Sequence, residues 1–266
     1  MVPGYCLAAP LTGLREPQGV AYLPRAGRIV VANANDGSCR FFDSRTYQPI
    51  VQIDCKEDAD NVRYDDQANR VFVGYGNGAL AEIDLTKMKR VTGIRLPGHP
   101  ESFQLEKQGS RVFINVPNAR QVTVIDRKRG ELVARWPMEE FQANFPMALD
   151  EENHRLLVGC RKPARLVVLD TRSGNVVTSQ ACSGDTDDVF YDARLRRIYV
   201  SGGDGSLSVF QQKDADQYRL LATIPTAPGA RTSLFVSAAN RLYIAVPHRG
   251  KQQAEIWEYR TPETSR

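Results

Sequence analysis

Short apolar runs rich in Val, Ile, Leu, Phe and Tyr follow one another along the whole chain, each bounded by turn-forming residues. The stretch Leu156–Val177 shows the pattern. Leu156–Val158 stops at a Gly-Cys-Arg turn, Leu166–Leu169 ends on Asp170, a Thr-Arg-Ser-Gly turn follows, and Val176–Val177 opens the next run. No segment keeps a helical period for ten residues. The pattern therefore predicts strands joined by hairpins.

The phrase recurs. Aligned on the first apolar residue of each repeat, the chain gives Val20, Val62, Phe103, Met147, Val189 and Leu234, at spacings of 42, 41, 44, 42 and 45 residues. Each repeat predicts four strands. In the first they are Gly19–Leu23, Arg28–Ala32, Cys39–Asp43 and Ile50–Ile53; in the third, Ser102–Leu105, Arg111–Val116, Val122–Asp126 and Leu132–Trp136. One small sheet cannot cover both of its apolar faces, whereas neighbouring sheets can cover each other. Four strands at this period predict an all-β fold, a β-propeller of four-stranded antiparallel blades. Six blades are visible, in a single domain over 1–266, with repeats starting near 18, 60, 101, 145, 187 and 232. The last repeat supplies Thr232–Val236, Arg241–Val246 and Ala254–Tyr259 and lacks an outermost strand. The N-terminal segment Tyr5–Leu11 is a strand without a repeat, so it is expected to complete the last blade, close the ring and hide an edge.

Composition changes little in this picture. Apolar and charged fractions of 42% and 25% are those of a globular protein, and a net charge of +4 from scattered residues implies no polyelectrolyte partner. The five cysteines (Cys6, Cys39, Cys55, Cys160 and Cys182) are too widely spaced for a zinc motif or a dense disulfide framework, and Cys55 and Cys182, at matching places in two repeats just before an acidic loop, read as small buried hydrophobes. The N-terminal MVPGYCLAAPLTG has neither the basic nor the apolar part of a signal peptide, and no apolar run reaches membrane-spanning length.

VFINVPNARQVTVIDRKRGELV (Val112–Val133) and LLVGCRKPARLVVLDTRSGNVV resemble the repeats of YVTN-type propellers, specifically the bacterial YncE-like group. The resemblance extends from Leu14 to Tyr259 through GLREPQGVAY, DADNVRYD, GHPESFQLE, NFPMALDE and GDTDDVFYD. It implies a binding or interaction protein of the periplasm or cell exterior, with a secretion signal and seven blades. Two alternatives stand: a compact six-bladed member, or a stretch of a longer protein that lacks its first blade.

In a propeller the loop leading into the innermost strand and the loop joining the second and third strands share one face. That face is the expected binding mouth. It is expected to carry Gln18, Asp60, Asn61, His99, Glu101, Asn144, Arg161, Asp187, Asp188, Arg231 and His248. Three readings compete there. Asp60, Glu101, Asp187 and Asp188 with His99 and Asn144 offer oxygen-rich ligands for calcium or a similar divalent ion. Arg161, Arg231 and His248, together with Arg120, Lys162 and Arg249, could instead hold an anion. The third reading is structural: Asp and Asn cap turns, and the arginines neutralise acids of neighbouring blades.

Nucleophilic catalysis finds no motif, since G-x-S-x-G and H-E-x-x-H are both absent and the chain has only three histidines. The glycine-rich runs at Gly74 and Gly202 link strands, so they cradle no phosphate. No basic stripe with interleaved aromatics suggests nucleic acid, and the one cofactor for which the sequence offers ligands is a divalent metal such as calcium. Asp43, Asp84, Asp126 and Asp170, at the ends of third strands, are read as turn formers. The function expected is therefore non-catalytic: a monomer binding a small molecule, peptide or protein at the mouth, without membrane insertion. The alternative is a metal-dependent hydrolase, lactonase or lyase using the same carboxylates, with His248 as its first acid-base candidate.

Overall fold

The structure, a computed structural model, describes residues 10–261. Six antiparallel sheets follow one another in the order of the chain. The first blade holds β1 (Pro17–Leu23), β2 (Arg28–Asn33), β3 (Ser38–Asp43) and β4 (Pro49–Asp54). The second holds β5 (Ala59–Asp65), β6 (Arg70–Tyr75), β7 (Ala79–Asp84) and β8 (Lys89–Arg95). The third is β9 (Phe103–Leu105), β10 (Arg111–Val116), β11 (Gln121–Asp126) and β12 (Glu131–Pro137). The fourth is β13 (Gln142–Asp150), β14 (Arg155–Lys162), β15 (Ala164–Asp170) and β16 (Val176–Ala181). The fifth is β17 (Thr186–Asp192), β18 (Arg197–Gly202), β19 (Ser206–Gln212) and β20 (Tyr218–Pro225). The last has three strands among the described residues, β21 (Ser233–Val236), β22 (Arg241–Val246) and β23 (Glu255–Arg260). Within each sheet every strand pairs with its neighbour in sequence, the up-and-down order of propeller blades. The expected closing strand Tyr5–Leu11 lies outside the described residues up to residue 9, and Pro10 and Leu11 carry no strand.

The chain divides into two compact units, Met1–Glu101 and Ser102–Arg266. In the first, Leu23, Val30 and Phe41 of one blade pack with Val62, Val71, Val73 and Ile83 of the next. In the second, Phe113, Val122, Val124 and Trp136 meet Met147, Leu156 and Val158, and the same pairing of faces continues through Leu166, Val168, Val200 and Phe210 to Leu242 and Ile244. The core therefore sits between sheets. It is carried by the second and third strands, which are nearly continuous apolar runs because both of their faces are covered. The outer strands β4, β8, β12 and β20 are largely exposed. Among the described residues no helix is long and apolar enough to cross a membrane.

Three repeated devices explain the regularity. Asp43, Asp84, Asp126 and Asp170 each accept hydrogen bonds from the backbone N–H groups two and three residues on, as the turn reading requires. In the fifth blade, where Gln211 stands at that position, Asp214 performs the same task inside the longer loop, accepting from the N–H groups of Asp216 and Gln217. Second, every second strand begins with arginine: Arg28, Arg70, Arg111, Arg155, Arg197 and Arg241. In the first four blades its cross-strand partner is the turn aspartate, and Arg70–Asp84 and Arg155–Asp170 close as ion pairs.

The third device is the fifth residue of the second strand, which is Ala32, Gly74, Asn115, Gly159, Ser201 or Ala245. A Cβ on Gly74 would lie 2.9 Å from Pro100 Cγ, and one on Gly159 would lie 2.7 Å from Pro146 Cγ and 2.9 Å from Thr186 Cγ2. Where the residue is polar it bonds instead to the chain leading into the following blade. Asn115 donates to the Phe145 carbonyl at 2.8 Å and Ser201 to the Arg231 carbonyl at 2.6 Å.

Candidate functional site: loops leading into the inner strands

The innermost strands do not begin straight. The register shifts between Pro17 and Gly19, Ala59 and Val62, Asn144 and Met147, and Thr186 and Asp188. A bulge of this kind re-aims the side chains of the extra residues. Gln18, Asp60, Asn61 and Asp187 all lie within these irregularities, so most of the inner-strand candidates read from the sequence share one structural cause.

In the first unit the loop that follows β8 brings His99 and Glu101 to the start of β5. One donor atom each from Asp60, His99 and Glu101 lie within 4.8 Å of one another, and all three residues are half-buried. His99 Nδ1 is 2.7 Å from the Gly76 carbonyl oxygen, to which it donates. Asp58 lies 3.4 Å from the same nitrogen, and Asp60 lies 3.7 Å from Nε2. The imidazole pKa is raised from 6.5 to about 9, chiefly by Asp60, with the Gly76 carbonyl, Asp58 and Glu101 adding and burial opposing. The cluster holds one imidazole and three carboxylates. Asn61 sits beside it on the bulge, half-buried, and Gln18 is exposed on β1.

In the second unit the charges are arranged differently. Arg161, at the end of β14, donates from Nε to the Thr186 carbonyl at 3.0 Å and pairs with Asp187 and, at 3.3 Å, with Asp185. Its guanidinium lies 3.9 Å from the Phe145 ring centroid, a cation–π contact. Arg231 reaches the same two acids, Asp185 at 2.9 Å and Asp187 at 2.7 Å. Two guanidiniums thus meet two carboxylates, the inter-blade pairing that competed with anion binding. Asp188 accepts from the Ser233 N–H at 2.7 Å. Asn144 is fully buried and donates to Asn115 Oδ1 at 2.9 Å and to the Gln121 carbonyl at 3.0 Å, while its own Oδ1 has no partner. His248 is exposed in the loop that follows β22.

Two groups of the candidates are therefore brought together, Asp60 with His99 and Glu101, and Asp187 with Arg161 and Arg231. Sequence reading missed the bulges and the sharing of Asp185 and Asp187 by both arginines, where one arginine neutralising one acid was expected. It also missed the carbonyl of Gly76 that orients His99. The signals available were the polar pairs placed just before the first apolar residue, as in Asp60-Asn61-Val62 and Asp187-Asp188-Val189.

Bladed sheets of this order and packing define the β-propeller class, and solved structures agree. The chain superimposes on the β-propeller domain of Cps50 (Swd1) from Myceliophteria thermophila with a TM-score of 0.79, at 14% identity over 93% of this chain and 83% of that one. Hydrazine synthase of Kuenenia stuttgartiensis gives a TM-score of 0.76 at 16% identity, over 91% of this chain and 77% of that one. These likenesses speak for the fold alone. Within the class the chain is similar to the "Uncharacterized protein YncE" of Salmonella typhimurium, to which it is 25% identical over 200 residues, covering 72% of this chain. That match takes in 55% of the relative's length. No family model matches the chain.

Proposed function

We propose that the protein is a non-catalytic binding protein that takes a cationic ligand at Asp60, His99 and Glu101. The observation that supports this is the convergence of their donor atoms beside Asp58, in a half-buried setting. A cation held there gains Coulomb energy in a region less screened than open water. Suitable ligands are a divalent metal ion, which takes the place of the His99 Nε2 proton on binding, or the ammonium or guanidinium group of a small molecule or peptide, held by the carboxylates alone. The Arg161–Asp187–Arg231–Asp185 group is less suited to either sign, because its charges already neutralise one another.

Calorimetric titration of the full chain with zinc, manganese, calcium and a panel of basic peptides tests the reading. Binding of at least one cation that is weakened tenfold or more in Glu101→Gln and Asp60→Asn supports it. Unchanged binding in both variants, or no binding of any cation, ends it.

The second reading is a metal-dependent hydrolase, lactonase or lyase at the same residues. It is favoured by the mixed imidazole and carboxylate donor set, which suits divalent ions that catalyse hydrolysis. Metal content of the purified protein, and loss of ester or lactone hydrolysis on chelation, separate it from the first.

A further inference from the structure

We propose that Cys39 and Cys55 are a disulfide-forming pair that links the third and outermost strands of the first blade. Their sulfurs are 3.1 Å apart, and both residues are fully buried. The strand register explains why they meet. Cys39 is paired with Ile53 and Ser38 with Asp54, and the Cys55 N–H donates to the Gly37 carbonyl at 2.9 Å, continuing the same ladder by one residue. Cys55 is thus two positions along from the partner of Cys39. Alternation puts both side chains on one face of the sheet. That face is the packed one, where both belong to the core of the first unit.

Closing from this separation to a bonded length of about 2.05 Å needs a movement of about 1 Å at the end of β4. The reading of Cys55 as an inert small hydrophobe does not account for two sulfurs so close.

In the reaction, a bond forms between the two Sγ atoms as both S–H bonds break. Two electrons and two protons pass to an external disulfide, such as glutathione disulfide or the disulfide of an oxidoreductase, which leaves as two thiols. The first step needs a thiolate. In the folded chain contact with Cys55 and burial push the Cys39 thiol well up. The bond therefore forms while the hairpin is still open, and burial then protects it from reductants. Cys55 also begins the loop to Asp58 and Asp60, so the cross-link fixes one end of the segment that carries the acidic cluster.

The test is oxidative refolding of the full chain in a reduced and oxidised glutathione mixture. Free thiols are then alkylated under denaturing conditions, and a non-reducing tryptic map is read by mass spectrometry. Arg40 and Arg45 lie between the two cysteines, so a bond between them appears as two joined peptides. The expected result is a Cys39–Cys55 linked pair with Cys6, Cys160 and Cys182 alkylated, and a urea midpoint above that of the reduced protein. Cys55→Ala should remove the shift. Full alkylation of Cys39 and Cys55 after oxidation, or linkage of either to another cysteine, overturns the proposal. The wild-type map decides the matter even if the variant fails to fold.

Discussion

Arg155 donates from Nη1 to Asp170 Oδ2 at 2.6 Å, joining the first residue of β14 to the last residue of β15 across the hairpin. The same guanidinium reaches Asp216 at 2.6 Å and the carbonyl of its own neighbour His154. Asp170 at the same time receives two backbone N–H groups of its turn. One ion pair therefore couples a turn to the strand beside it, and the arginine side chain is only 13% exposed. Charge-assisted bonds in such a setting contribute more than exposed surface pairs. Arg155→Ala is expected to cost about 1.5–3 kcal/mol in urea unfolding. Arg241→Ala, whose partner Glu258 is nearly half exposed, is expected to cost about 0–1 kcal/mol. Equal losses in the two variants would contradict the argument.

Gly159→Ala should destabilise by overpacking. Its added methyl meets Pro146 and Thr186 at distances below normal contact, and neither neighbour is the free end of a flexible chain. A loss of about 1–3 kcal/mol is expected, with an unchanged far-ultraviolet spectrum. A variant as stable as the parent would show that the neighbouring inner strand yields freely.

Asn144 stands among the candidate site residues, but its bonds make it a structural bridge between the third and fourth blades. Asn144→Ala leaves Asn115 Oδ1 without the donor that now reaches it. The expected cost is about 1–3 kcal/mol, the desolvation penalty of a buried unpaired acceptor. Cation binding at Asp60 and Glu101 should be unaffected. Urea titration and calorimetry on the same preparation separate the two effects.

His99 makes stability depend on pH with a definite sign. Its folded pKa of about 9 exceeds the ordinary 6.5, so the folded chain holds the proton more tightly than the unfolded one. The resulting stabilisation is full below about pH 6.5 and is lost as pH rises through about 9. Asp60→Asn should lower the imidazole pKa, and the proton spectrum of the ring, assigned with His99→Gln, reads it directly. A wild-type imidazole titrating at its ordinary value would remove the electrostatic account of this cluster.

The blades were legible in the sequence because a sheet covered on both faces writes itself as a run of apolar residues, and the turn aspartates punctuate those runs. Thus Val122–Asp126 was expected and Gln121–Asp126 is observed, while Ile50–Ile53 became Pro49–Asp54. The charge network was less legible. Arg161 finds Asp187 across 26 residues and Arg231 finds Asp185 across 46, and no local pattern selects those partners from other acids nearby. The approach of His99 to the Gly76 carbonyl was equally hidden, since backbone carbonyls leave no mark on composition. The arginine that opens every second strand was visible, although its meaning depends on the cross-strand register.

The fifth residue of each second strand sets how thick a repeat can be. Hairpins at the rim can lengthen, as Lys213–Gln217 does, and still be met from the side by a flexible chain, Arg155 of the preceding blade. At Gly74 and Gly159 the spacing between successive sheets is gauged by a single hydrogen atom, and at Ser201 by one hydroxyl. Duplicated segments that diverge elsewhere can still nest, provided this one gauge is kept.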